Sequence, residues 1–461
     1  MRTVMLSQIA LWCEGRLIGA DVPIESISID SRAIKQHGLF VALKGERFDA
    51  HDFVSQAKTN GAVALLLHHV VETDLPHILC ADTEEALGEI AGGLAKQRSA
   101  VVLALTGSNG KTSVKTMLQS ILSCAGLAYV NPGNRNNEIG LPLAVIDAPE
   151  NAEFAVYEMG AGKLGDIAYL TSIVSPNVAL VNNVAPAHIE RMGSLLGIAE
   201  TKGAIYEALP DDGVAVVNVD DAFAPYFLER IGRRSIFRFG MQNNADVTAK
   251  SLLQTAEQTQ FELITPAGKA SITLAFSGRH NVMNALAASA MALASGVSFD
   301  AIVTGLHHAR PVPGRQALLL LANDAVLIDD SYNANPGSVS AAIDSLALAC
   351  AIDKKVAILV LGDMAELGEG AENLHAQVGA YAKSQGIRHL YACGSLSRSA
   401  CVSFGEGAMH FATRDALIDS LRTAIGPQHR ILVKGSRSSQ MDQVVSALVN
   451  TFLLKEIPDA T

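Results

Sequence analysis

Gly107, Ser108, Asn109, Gly110, Lys111 and Thr112 form an unbroken run in which glycines lead to a lysine and a hydroxyl. Residues of these types suit a polyphosphate: glycines let the backbone curl around it, and Lys111 can reach the β- and γ-phosphates. The Thr112 hydroxyl can ligate Mg²⁺. The usual pattern places another glycine five residues before Gly110, where this chain has Leu105. A Gly-rich turn with a surface lysine is the plain alternative; the flanking segments favour an ATP site. Other chemistry-bearing residues close apolar runs. Glu158 ends EFAVYE, and Asn183 and His188 follow NVALV; Glu158 and His188 together could hold a divalent cation beside the phosphates. Asp329 and Asp330 end AVLIDD and could bind a ribose hydroxyl or a metal, or Asn333-Ala334-Asn335-Pro336 could be a turn that caps a helix. Gly362-Asp363 and Lys434-Gly435-Ser436-Arg437 close two further strands in the same way.

The elements that position these groups can be read from periodicity. Before Gly107 lies the β-branched run Val101–Thr106. After Thr112, Val114, Met117, Leu118, Ile121 and Leu122 recur at helical spacing, so the loop is a strand-to-helix junction. The first amides of such a helix have no intrahelical partner and lie at the positive end of its dipole. Residues 84–312 alternate strands and helices as a doubly wound sheet would, and ligands of such sheets bind beyond the carboxyl ends of the strands. That rule puts Glu158 in the crevice of Lys111. Pro311-Val312-Pro313-Gly314 breaks the pattern and is the best linker candidate. Residues 313–461 hold a second βαβ series, a smaller Rossmann-like unit. Residues 1–83 hold short β-rich runs with polar clusters at Asp30-Ser31-Arg32 and from Lys44 to His51, which read equally as ligand loops or solvated hairpin tips. Lys202, in IAETKGAIYEAL, reads from pattern alone as a solvated helix lysine.

Bulk properties bound the partners. With 461 residues the chain has room for about three domains. Aromatic content of 5% leaves little for stacking on bases, and a net charge of −11 offers no general field for anionic polymers, so nucleic acid is not an expected partner. The six cysteines are scattered without a CxxC pair, as buried reduced thiols would be. No leader peptide or membrane-length apolar run is found, so a cytoplasmic protein without membrane insertion is expected.

Taken together, TGSNGKT, EMGA, NNVAPAH and SGRHNVMNALAA resemble the Mur ligase family over essentially the whole chain. The resemblance implies a three-domain α/β architecture. A small α/β N-terminal domain (1–83) binds a UDP-muramoyl peptide. A central domain (84–312), whose P-loop parallel sheet has helices on both faces, binds ATP. A C-terminal Rossmann-like domain (313–461) takes the amino compound and closes over ATP. DSRAIKQHGLFVALKGERFDAHDF, NPGNRNNEIGLPL, DDSYNANP, LGDMAELGEG and VKGSR resemble the branch that adds D-alanyl-D-alanine to UDP-N-acetylmuramoyl-tripeptide; nothing suggests an obligate partner, so a monomer is expected. Neither the DNPR-type motif nor the Asp-Tyr-Ala-His run of the branch adding the third amino acid is found. Ala50 departs from the glycine more common in the first-domain motif.

Site residues are implied position by position. Thr106, Gly107, Ser108, Asn109, Gly110, Lys111, Thr112 and Ser113 form the ATP loop. Thr112 holds one Mg²⁺; Glu158, His188 and Lys202, the last as a carbamate, hold a second. Asn281 and Asn284 match adenine-reading positions, Arg315 a γ-phosphate contact and Asp330 a ribose contact. Lys111, Glu158, His188 and Lys202 form the catalytic set. Ser31, Arg32 and Lys44 lie in the uridine-nucleotide motif. Asn137, Asn333, Asn335, Lys434, Ser436 and Arg437 are assigned to substrate, the last five to the dipeptide side. The rival functions are another amide ligase of the family, adding one amino acid or extending a folate with glutamate, and a non-catalytic ATP-binding module.

Overall fold

The computed structural model describes residues 1–45, 48–186 and 189–455, without the Ile189 side chain. The P-loop candidate sits at the centre of a six-stranded sheet. Across it the strands run Ser235–Phe239, Val214–Asn218, Val178–Val181, Val101–Thr106, Phe154–Glu158 and Ala128–Val130. Every neighbouring pair is parallel, so all their carboxyl ends emerge along one edge. Side chains alternate along each strand, and both faces are apolar because both are covered. Leu103 and Leu105 pack with helices Lys111–Leu122, Arg279–Ala294 and Phe299–His308. Ala104, Tyr157 and Val181 pack on the other side with Thr83–Ala95, Gly140–Asp147, Asp166–Val174 and Leu195–Glu207. After Val101–Thr106 the chain winds first to one side and then to the other, which leaves a crevice above that strand.

The strand–helix alternation expected across 84–312 has one exception. Thr248–Gln254, Thr259–Thr265 and Gly268–Leu274 form an antiparallel sheet. Its inward residues Phe261, Leu263, Ile272 and Leu274 bury the outer side of the Lys111–Leu122 layer. These segments alternate apolar and polar residues, the mark of a sheet covered on one face only.

The first sheet runs Arg16–Ile18, His77–Leu79, Ala62–Leu67, Gly38–Val41 and Ser26–Ser28, parallel except at the Arg16–Ile18 edge. The last sheet runs Ala317–Leu320, Val326–Asp330, His429–Lys434, Val356–Gly362, His389–Cys393 and Ala408–Phe411, with only the Ala317–Leu320 edge antiparallel. Helices cover both its faces, Pro336–Asp353 and Ala371–Ser384 on one side and Arg414–Ala424 and Asp442–Phe452 on the other.

Helix Phe299–His308 stops just before the Pro-rich segment, and regular structure resumes only at Ala317. Gly314 takes φ +76°, a left-handed conformation open to glycine. Its N–H donates to Asp329 Oδ2 at 2.8 Å, so this carboxylate, expected as a ligand, holds the linker. Further along, the fully buried Arg430 ties the last sheet to the antiparallel one: it pairs with Asp353 at 2.6 Å and donates from Nη1 to the Ala256 carbonyl at 3.2 Å. All six cysteines are free; Cys13 is buried, Cys124 exposed and the others half-buried. Among the described residues no helix is long and apolar enough to cross a membrane.

Candidate active site

Strand Val101–Thr106 delivers the Gly-rich loop to the sheet edge, and helix Lys111–Leu122 begins directly after it. Gly110 is required twice over: its φ is +79°, and a Cβ there would lie 2.3 Å from Asn284 Oδ1. Thr106 lies beneath the loop, fully buried, its hydroxyl donating to the Met159 carbonyl at 3.0 Å. The next strand fixes the loop from the side. Ser108 exchanges hydrogen bonds with the Ala185 backbone at 2.9–3.0 Å, and the Asn109 N–H donates to Asn183 Oδ1 at 2.8 Å. The amides of Lys111, Thr112 and Ser113 open the helix with no carbonyl behind them. Lys111 Nζ folds back onto the Gly107 carbonyl at 2.7 Å, inside the curl where a phosphate would sit.

Above the loop lies a cavity of about 790 Å³ walled by the central and C-terminal sheets. Glu158 stands at its floor, 3% exposed. One carboxylate oxygen accepts from the Thr112 hydroxyl at 3.1 Å and meets Lys115 Nζ at 3.1 Å; the other accepts from Asn136 Nδ2 at 3.1 Å. Burial pushes this carboxyl up, but the charges of Lys115, Lys111 and Arg315 outweigh it and hold Glu158 below the usual carboxylate range. For Lys111 the balance tips the other way. Desolvation lowers its pKa, Arg315 adds to the lowering, and Glu158 opposes it.

Lys202 corrects the solvated-lysine expectation. It lies on helix Leu195–Glu207, is 2% exposed, and its side chain reaches the same cavity. Among the described residues no carboxylate pairs with it; the nearest influences are the repelling charge of Lys111 and the weaker attraction of Asp166. Desolvation, reinforced by Lys111, brings its pKa down to about 7. His188 lies outside the described residues.

The remaining expectations divide by place. Asn281, Asn284, Arg315, Asp330, Asn333, Asn335, Lys434 and Asn137 all line the cavity with Lys111. Asn284 accepts from Asn182 Nδ2 at 3.0 Å and donates to Asn281 Oδ1 at 3.0 Å, so both amides are already engaged. Arg315 places its guanidinium carbon over the Tyr332 ring, 4.0 Å from the centroid. Asp330 is paired with Lys434 at 2.6 Å. Asn335 combines both readings of its turn. It caps helix Pro336–Asp353 by accepting from the Ser338 N–H at 2.9 Å, and its Nδ2 donates to Asn109 Oδ1 at 2.7 Å across the domain boundary.

Two groups of expected residues do not line this cavity. Ser436 turns away to the Asp363 carbonyl at 2.6 Å, and Arg437 reaches only the rim, 5.9 Å above Tyr332. In the first domain, Ser31 donates to Gln56 at 2.7 Å, Arg32 forks onto Asp30 at 2.9 Å and Lys44 is exposed.

Sequence reasoning missed Lys115, 5% exposed, which pairs with Glu158 and donates to the Asn131 and Gly133 carbonyls at 3.0 and 3.2 Å. The signal was its spacing: four residues after Lys111 on a helix is the same face. Asn131 was missed too; its amide clamps the Glu158 backbone in both directions at 2.9 Å. Lys115→Met should destabilise the fold by about 3 kcal/mol, because it leaves a buried carboxylate without its nearest cation. An apparent melting temperature within a degree of the parent's would contradict this.

Three family models match the chain in order: "Mur ligase family, catalytic domain" over residues 23–95, "Mur ligase middle domain" over 105–292 and "Mur ligase, glutamate ligase domain" over 314–437. A curated relative from Escherichia coli (strain K12), named UDP-N-acetylmuramoyl-tripeptide–D-alanyl-D-alanine ligase, is 44% identical over 451 residues, covering 97% of this chain and 99% of the relative. Among solved structures, MurF from Acinetobacter baumannii superposes with a TM-score of 0.92 at 34% identity, covering 98% of this chain and 99% of that one. A MurF ligase from Thermotoga maritima in complex with ADP gives 0.83 at 26% identity, with coverage of 93% and 98%.

Proposed function

The chain belongs to the Mur ligase family, and from that premise we propose that it joins D-alanyl-D-alanine to UDP-N-acetylmuramoyl-tripeptide, with ATP going to ADP and phosphate. The observation that carries this is 44% identity, over almost the full length of both chains, to a relative named for that reaction. The product is the pentapeptide precursor of peptidoglycan. The reading makes the enzyme a cytoplasmic monomer whose cavity of about 790 Å³ is the place of reaction.

The chemical problem is that a carboxylate is a poor electrophile and the γ-phosphate is itself an anion. The terminal carboxylate of the tripeptide attacks the γ-phosphorus as the bond to the β-phosphate oxygen breaks, giving an acyl phosphate and ADP. The dipeptide amine then adds to the acyl carbon and loses a proton, and inorganic phosphate departs. Lys111 and the free amides of residues 111–113 hold the β- and γ-phosphates, and Arg315 brings a second positive charge from the C-terminal domain. Asp330 is assigned to the ribose; Lys434, already 2.6 Å from it, fixes its direction. Asn281 and Asn284 are assigned to adenine, and the Asn284 amide keeps one N–H and one oxygen lone pair beyond its present hydrogen bonds. Ser31, Arg32 and Lys44 take the uridine nucleotide, and Asn137, Asn333, Asn335, Lys434, Ser436 and Arg437 the peptide and dipeptide.

The donor set fits Mg²⁺. The Thr112 hydroxyl and the Glu158 carboxylate meet at 3.1 Å on the cavity floor, and a carbamate on Lys202 would add a third hard oxygen donor, with His188 proposed beside them. Mg²⁺ held by these residues, in the two sites proposed, would supply positive charge that lets two anions approach.

Phosphate release measured with UDP-N-acetylmuramoyl-tripeptide, with and without D-alanyl-D-alanine, tests the function. Turnover is expected only with both. Release with a single amino acid but not the dipeptide would move the chain to a sister branch, and release with no acceptor at all would leave an ATP-binding module.

The link across the domain boundary makes a separable prediction. Asn335→Asp keeps the acceptor that caps its helix but cannot donate to Asn109. It should melt like the parent while raising the KM for ATP several-fold. Asn335→Ala should also lose about 1 kcal/mol of stability with the cap. An unchanged KM in both variants would make the Asn109 contact incidental.

A further inference from the structure

Asp49, His51, His68 and His69 gather in the first domain, away from the cavity described above. One carboxylate oxygen and one nitrogen from each ring all lie within 4.8 Å of one another. Local structure explains the gathering. Strand Ala62–Leu67 ends and the chain bends, bringing the consecutive His68 and His69 rings onto one side. Asp49 is bridged to Lys44 and caps the tight turn Ala50–Phe53 by accepting from the His51 N–H at 3.0 Å. The His51 ring stacks on His69 with centroids 4.0 Å apart and meets His68 edge-on at 4.3 Å.

The hydrogen bonds assign distinct roles. His51 Nε2 accepts from the His68 N–H at 3.1 Å, so in the neutral ring the proton sits on Nδ1 and points at Asp49 Oδ1, 2.6 Å away. Both nitrogens of His51 are therefore used. A histidine N–H directed at a carboxylate is the arrangement that orients a ligand from behind. His68 Nε2 and His69 Nδ1 face each other at 3.1 Å, and among the described residues they are bonded only to one another. His69 is exposed, while His68 and Asp49 are half-buried, so an ion can enter from solvent.

We propose that this cluster is a site for one transition-metal ion of the Zn²⁺, Co²⁺ or Ni²⁺ class, ligated by His68, His69 and the Asp49 carboxylate, with His51 positioning Asp49. Two imidazoles and one carboxylate are borderline donors that suit such ions, whereas Mg²⁺ and Ca²⁺ take oxygen alone. Ligands about 2.0–2.2 Å from a tetrahedral ion stand roughly 3.4 Å apart. The His68–His69 pair is already near that spacing, and no separation in the cluster exceeds 4.8 Å, so none has to close by more than about 1.4 Å, within the reach of side-chain rotation. Three protein ligands leave a fourth position for water. The ion would pin the turn that begins at Asp49 against the end of strand Ala62–Leu67.

The test is a Co²⁺ titration of the full chain, tag-free and nucleotide-free, in excess Mg²⁺ so that oxygen-only sites are filled. One Co²⁺ per chain is expected, with visible d–d bands, no thiolate charge-transfer band, and displacement by Zn²⁺. The double variant His68→Ala/His69→Ala should abolish those bands with the circular dichroism unchanged. His69→Ala, at an exposed position, is the fallback should the double variant not fold. His51→Gln should weaken binding by about 10–100-fold, as loss of an orienting group does. Bands that persist in the histidine variants, a charge-transfer band placing the ion on a cysteine, or no saturable binding at all would each overturn the proposal. None of these readouts needs substrate, so they stand apart from the ligase activity.

Discussion

Lys111→Ala is expected to lower phosphate release by about 10³-fold or more, because contacts to a transferring phosphoryl group are worth several kcal/mol. The geometry gives this residue one task. Its amine rests on the Gly107 carbonyl at 2.7 Å, within the curl of the loop, and leaves that carbonyl for the γ-phosphate. The lysine is part of no apolar core, so the variant should melt like the parent, and Lys111→Met, which keeps the stem, should be equally inactive. Retention of more than about a tenth of kcat would contradict the γ-phosphate role.

Lys202→Ala should be comparably inactive, and short carboxylic acids such as formate or acetate should restore part of the activity. A buried ammonium without a partner carboxylate is costly, and two outcomes relieve it: loss of the proton or conversion to an anion. With a pKa of about 7, the amine is largely neutral just above neutrality. Only the neutral amine captures CO₂, so under limiting bicarbonate the activity should rise with pH through about 7. The carbamate would also reverse the sign of the interaction with Lys111, which now lowers the pKa of Lys202. Lys202→Met fills the space an added acid needs and should not be rescued. If neither acid rescue nor the mass of an added CO₂ were found, Lys202 would be a buried lysine without a part in metal binding.

What was legible in the sequence was what depends on local chain geometry. A β-branched run, two glycines, a lysine and a helical stripe specify a strand, a turn and a helix whatever surrounds them, and Lys111 stands where that reasoning puts it. Glu158 was found by a rule of parallel sheets: strand ends share an edge. The burial of Lys202 was not legible, because it depends on which helix face packs against the sheet. Its helix carries Ile198, Ala199, Ile205 and Tyr206 in the core, with the lysine between them. Lys115 was within reach, four residues from Lys111, but its role exists only because the NPGNRNN segment folds back to present the Asn131 and Gly133 carbonyls. Strand-end polarity did not reveal the present partner of Ser436, whose hydroxyl donates to the Asp363 carbonyl. The histidine cluster joins residues 49–51 to 68–69, which are distant along the chain and meet only in the fold.

The central claim is that the peptide's terminal carboxylate is activated by direct transfer of the γ-phosphoryl group. Tripeptide substrate labelled with ¹⁸O in that carboxylate tests it in one turnover with ATP and D-alanyl-D-alanine. The account predicts that one labelled oxygen leaves in the inorganic phosphate and the other stays in the new amide. Phosphate free of label, with product formed, would contradict it.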